Sequence, residues 1–114
     1  MELFKKGDIV IAKISFTDLP KFKIRPTLII VKRLKTEDFI VLPITKTKRT
    51  DEYSIPIYKN DIIKGFIKII PSYIRTDKPH TIHKNNILHK VAELKEEKID
   101  QISHKIIELF QKEE

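Results

Sequence analysis

Apolar residues come in short bursts along most of this chain, and only its end changes to helical spacing. "GDIVIAKISF" follows Lys5-Lys6 with a Gly-Asp turn signal, and its β-branched enrichment predicts a strand over roughly 8–14. "TDLPKFK" reads as a polar loop containing Pro20. "PTLIIVKRL" is a nearly continuous apolar run and predicts a well-buried strand that starts at Pro26. "TED" turns the chain, and "FIVLPI" predicts a third strand with Pro43 near its end. A basic polar stretch, "TKTKRTDEY", precedes "SIPIY", where Pro56 marks an edge strand because proline cannot donate to the ladder. "KNDIIKG" reads as a turn or loop, and "FIKIIPSYI" resumes strand character with a bulge or bend at Pro71. After the loop "RTDKPH", "TIHKNNILHKVAEL" holds a short turn and a last strand.

In "KEEKIDQISHKIIELFQKEE", Ile99, Ile102, Ile106, Leu109 and Phe110 recur at spacings of three and four. That spacing predicts one apolar helical face over about 96–111. Glu96 and Glu97 stand in the first turn, where the helix dipole favours anions. Short strands followed by a single helix predict a mainly β (α+β) fold, a small, partly closed barrel of five to seven strands carrying a C-terminal helix. No linker, internal repeat or low-complexity segment interrupts the 114 residues, so 1–114 reads as a single domain.

Composition narrows the partners. The chain carries 23 Lys and Arg against 16 Asp and Glu, a formal charge of +7. Such an excess favours polyanions: RNA, DNA, an anionic membrane face or an acidic protein. There is no Cys, which excludes disulfides, thiol catalysis and Cys-based zinc sites and suits a reducing cytoplasm. The first residues lack the apolar stretch of about 7–15 residues that marks a signal peptide. No run approaches the roughly 20 apolar residues of a membrane span. The expected location is therefore cytoplasmic, without a membrane partner.

An ordered set of short motifs adds a family. "GDIV", "SFTD", "KIRPTLII", "VLPIT" and "SYIRTDK", followed by a helix after "VAEL", resemble the MazF/PemK (Kid) toxin endoribonucleases in order and spacing, from about Gly7 to Phe110. The resemblance implies a small barrel of SH3-like or CcdB-like type, usually homodimeric. It implies metal-independent, sequence-selective cleavage of single-stranded RNA, often mRNA, with no cofactor. It also implies a cognate acidic antitoxin that holds the toxin inactive.

Metal-free RNA cleavage needs a base for the 2′-hydroxyl proton, stabilisation of the phosphorane and a proton for the leaving 5′-oxygen. The resemblance places the principal role on Arg25, the Arg of the family's "RP" motif. A guanidinium offers a planar fork that fits phosphate bidentately, and its charge is permanent. That permanence suits electrostatic stabilisation better than proton abstraction, although the family account often gives the Arg an acid/base role as well. Pro26 biases Arg25 toward extended geometry at a strand start. Thr45 matches the family's catalytic Thr or Ser after the third strand, and its hydroxyl can donate to a phosphate oxygen.

The remaining RNA-binding candidates keep two readings each. Lys46, Lys48 and Arg49 read as phosphate contacts or as a solvated basic loop, with Lys46 standing where many relatives carry Ser, Thr or Gly. Lys21 and Lys23 flank the loop before Arg25 and are expected to attract the RNA backbone. Phe22 can stack on a base or pack on its own domain. Arg75, in "IRTDK", can contact RNA, brace the catalytic loop or form a structural ion pair with Asp77. His80 and His83 invite an acid/base or zinc reading, but no Cys assists them, neither falls on a family catalytic position, and no metal is expected. Two other functions compete with the nuclease. One is a non-catalytic, basic, SH3-like nucleic-acid-binding module. The other is a CcdB-like gyrase-targeting toxin, which relies on an aromatic C-terminal end that "FQKEE" lacks.

Overall fold

A computed structural model describes residues 3–15, 21–33, 35–49 and 51–112. The "FTD" motif and most of the loop before Lys21 lie outside the described residues. Eight strands precede one helix: β1 (Asp8–Ser15), β2 (Phe22–Lys32), β3 (Asp38–Thr45), β4 (Ser54–Ile57), β5 (Ile62–Gly65), β6 (Ser72–Arg75), β7 (His80–His83), β8 (Ile87–Leu94) and α1 (Glu96–Gln111). Every strand pairing is antiparallel, in the order β4-β6-β3-β2-β1-β8-β5, with β7 also on β3. The result is a curled half-barrel with α1 packed on it.

Differences from the sequence reading have local causes. β2 begins at Phe22 rather than Pro26, because Phe22, Lys23 and Ile24 pair with Ser15, Ile14 and Lys13 in a long β1–β2 hairpin. Pro26 itself sits inside this strand, opposite Ile11. "IIKG", read as loop, is the short edge strand β5, pairing Ile62 with Leu94 and Gly65 with Ala92. "FIKII" is not strand; regular pairing resumes only at Ser72, after Pro71. Residues 80–83 form β7, whose His80–His83 pair with Val41–Asp38.

One edge of β3 serves two partners. Asp38–Val41 pair with β7, and Ile44 and Thr45 pair with β6. Pro43, which has no N–H to donate, lies between the two pairings. Thr45 is thus delivered to the strand's end, at the rim of the half-barrel.

Both faces of the sheet are covered, which explains why "IVIA" and "TLII" run apolar without alternation. Ile9, Leu28, Leu42 and Ile44 join Ile74, Leu94 and Ile102 of α1 on one side. Val10, Ala12, Ile14, Ile29 and Val41 join Phe39, Ile82 and Ile87 on the other. Ile99 and Ile106 extend the contact of α1, as the periodicity predicts. Phe110, counted in the same stripe, instead stands 80% exposed. No helix among the described residues is long and apolar enough to cross a membrane.

The start of α1 is fixed by a buried carboxylate. Asp61 Oδ2 accepts from the Tyr58 backbone N–H at 2.8 Å, and its oxygens lie 3.4 Å from both Lys95 and Lys98. Its backbone oxygen accepts from Lys95 N–H at 2.8 Å. Burial alone would raise the Asp61 pKa, but the Tyr58 N–H and the charges of Lys98 and Lys95 outweigh it and hold it below the usual value. A carboxyl depressed in the folded state stabilises the fold above its unfolded pKa of about 4 and loses that contribution as pH falls through the folded value. Thermal melts between pH 6 and 2 are therefore expected to fall less steeply below about pH 4 for Asp61→Asn than for the parent. Parallel profiles would remove Asp61 from the acid response.

Candidate active site

A cleft of about 730 Å³ opens at the rim of the half-barrel. Its floor follows from strand register. Ile11 of β1 lies between Pro26 of β2 and His89 of β8. The β2–β3 pairing ends with Thr27 against Pro43, so Arg25 and Thr45 stand two residues beyond that end, on β2 and β3. Two residues that are 20 apart in sequence therefore both line this cleft.

Arg25 is half-buried and makes no ion pair or hydrogen bond among the described residues. Thr45 Oγ1 accepts from the Thr47 backbone N–H at 3.2 Å. That contact uses the oxygen's lone pair and leaves the hydroxyl hydrogen to donate outward. Lys46 follows directly and also lines the cleft.

The opposite wall comes from β8 and from the segment after β5, which the sequence reading did not assign to the site. Phe66 and Lys68 line it from that segment, and His89 and Lys90 from β8. Lys90 Nζ lies 3.2 Å from both Asp8 and Glu93, and Lys5 Nζ is 2.7 Å from Glu93. Burial alone would lower the Lys90 pKa, but hydrogen bonds to Asp8 and Glu93 and their charges raise it. The hydrogen bonds from Lys5 and Lys90 hold Glu93 low in turn. Lys90 is thereby kept cationic and in place. Among the described residues no carboxylate lines the cleft, and Arg25, Lys46, Lys68 and Lys90 supply its charge among apolar neighbours.

Other predicted residues stand elsewhere. Lys21, Phe22 and Lys23 are exposed on the hairpin beside the cleft rather than in its wall, and Phe22, 63% exposed, does not pack into its own core. Lys48 and Arg49 are exposed in the loop beyond Lys46. Arg75 is buried away from the cleft. One of its guanidinium nitrogens reaches both oxygens of Asp51 at 3.0 Å and Ser54 Oγ at 2.8 Å, and the other reaches Asp77 at 3.1 Å. Of its earlier readings, the ion pair with Asp77 is the one the geometry displays. His83 does not line the cleft either. It lies 3.3 Å from Glu37, and its Nδ1 accepts from Asn85 N–H.

The model of a family described as PemK-like, MazF-like toxin of type II toxin-antitoxin system matches residues 5–110. Among solved structures, Mycobacterium tuberculosis toxin MazF-mt6 superposes with a TM-score of 0.70 at 24% identity, covering 94% of this chain and 99% of that one. An endoribonuclease in complex with its cognate antitoxin from Mycobacterial species gives 0.68 at 15% identity, covering 96% and 97%. MazE-MazF from Deinococcus radiodurans (Form-III) gives 0.76 at 11% identity, covering 98% and 100%. These likenesses establish the fold. No curated protein matches the sequence.

Proposed function

Because the chain belongs to the PemK-like, MazF-like toxins of type II toxin–antitoxin systems, we propose that it is a metal-independent, sequence-selective endoribonuclease acting on single-stranded RNA. The observation that carries this reading is that Arg25 and Thr45 line one cleft together with Lys46, Lys68 and Lys90, with no carboxylate among its described lining residues. The substrate's 2′-hydroxyl attacks the adjacent phosphorus, and the bond to the 5′-oxygen breaks. Arg25 stabilises the charge that gathers on the nonbridging oxygens, and the Thr45 hydroxyl donates to one of them. Lys46 and Lys90 hold the flanking phosphates. Lys21, Lys23, Lys48 and Arg49 extend the electrostatic track on either side, and Phe22 offers an exposed face for base stacking. Arg75 acts at a distance, by fixing the loop between Asp51 and Asp77.

The chain acts as a single domain, 1–114, in the cytoplasm and as a homodimer, and is held in check by an acidic antitoxin whose charge complements the +7 of the toxin. Solved MazE-MazF and endoribonuclease–antitoxin assemblies of the same fold support that partnership. No observation favours a non-catalytic binding module or a gyrase-directed toxin. The test is primer extension on a long defined RNA with EDTA present. Discrete cuts at a shared short sequence are expected, and they would also give the recognised sequence. A folded protein that binds RNA without cutting it would overturn the nuclease reading.

A further inference from the structure

We infer that His89 is the proton donor to the leaving 5′-oxygen, an inference that rests on the nuclease reading above. His89 lies on β8 directly across β1 from Pro26, through Ile11. Adjacent strands are about 4.8 Å apart, so its backbone stands roughly 10 Å from the Arg25-Pro26 strand, a span that one phosphodiester and its two riboses fill. Arg25, Thr45 and His89 all line the same cleft. His89 is exposed, so no part of the core depends on its ring.

The chemistry of the cleft leaves this role open. Arg25 cannot release a proton in the working range. Lys90 is held by Asp8 and Glu93, and Lys46 and Lys68 are ammonium groups on flexible stems. The Ile11 rung is apolar, Lys13 lies two residues further along β1, and no carboxylate faces His89 among the described residues of the cleft. Imidazole is the commonest general acid among side chains, and His89 supplies the one imidazole in the described lining. The 5′-alkoxide is a poor leaving group, so a proton delivered to it gives the larger gain. In the step, the 2′-oxygen bonds to phosphorus and its proton passes to water. The P–O5′ bond breaks, and the imidazolium N–H proton goes to O5′. The products are a 2′,3′-cyclic phosphate and a 5′-hydroxyl, and solvent reprotonates the ring.

The test uses an RNA oligonucleotide carrying the parent's cut sequence, and the same oligonucleotide with sulfur replacing the bridging 5′-oxygen at that linkage. A thiolate leaves without a proton. His89→Gln is expected to cut the ordinary RNA about 100-fold or more slowly than the parent, within the range for a lost general acid. On the sulfur substrate the variant is expected to cut within about threefold of the parent, since no acid is needed there. Equal losses on both substrates would make His89 a structural residue and overturn the inference, as would a fully active His89→Gln. A parent that cuts neither substrate overturns the nuclease reading itself, which distinguishes the two failures.

Discussion

Arg25→Ala is expected to leave a folded protein that cuts RNA at least about a hundredfold more slowly, the scale of losing one preorganised donor to a developing oxyanion. Folding survives because Arg25 is half-buried and no described residue depends on its guanidinium. The loss falls on the chemical step, because the charge it stabilises is greater in the phosphorane than in the ground-state diester. Arg25→Lys restores charge without the planar fork, so it recovers part of the rate only. Thr45→Ala removes a single neutral donor and is expected to act in the same direction with a smaller effect. The comparison is made by single-turnover cleavage of one defined RNA, with circular dichroism confirming the fold. An Arg25→Ala protein that cuts at the parental rate would move the reaction away from this cleft.

The largest stability effect is expected at Gly65. It has φ of +75°, a conformation that side chains rarely adopt, at the end of β5. A Cβ there would lie 2.1 Å from the Val91 carbonyl oxygen and 2.9 Å from Ala92 Cα. The same carbonyl accepts the Phe66 N–H at 3.2 Å, so it cannot retreat without loosening β5 from β8. Strain and overpacking together put the cost of Gly65→Ala at about 2–5 kcal/mol, or a fall in Tm of roughly 10 °C or more. Activity should fall with it, because the segment that carries Phe66 and Lys68 into the cleft leaves directly from Gly65. Gly7→Ala is the control. It too has positive φ, but its Cβ would meet the Cδ1 end of the Ile99 side chain, which can rotate away, so its penalty is expected to be smaller. Equal melting temperatures for Gly65→Ala and the parent would show that the β5–β8 approach is looser in solution.

What the sequence disclosed depended on whether the deciding contact was local. The β1 and β3 runs and the stripe Ile99, Ile102, Ile106 declare themselves through patterns of β-branched and apolar residues. β5 and β7 do not. "IIKG" and "HTIH" are short, and their strand character comes from pairing with β8 and β3. "FIKII" misleads in the opposite direction, since it has strand composition but no pairing partner among the described residues. The site divides in the same way. Arg25 and Thr45 stand in motifs that each lie within one segment. Lys68, His89 and Lys90 reach the cleft only because β1 is flanked by both β2 and β8, a pairing with no local signature. Phe110 continues the helical spacing, yet it extends beyond the part of the sheet that α1 covers.

That flanking of β1 also bears on how such a chain is made. Arg25 emerges early in synthesis, but the wall that carries His89 and Lys90 is nearly the last strand to be translated. Until β8 has left the ribosome and docked beside β1, half of the cleft does not exist. A nascent chain therefore lacks that wall of the cleft until β8 has been made. A product truncated before β8 lacks that wall and is expected not to cut RNA in the assay proposed above.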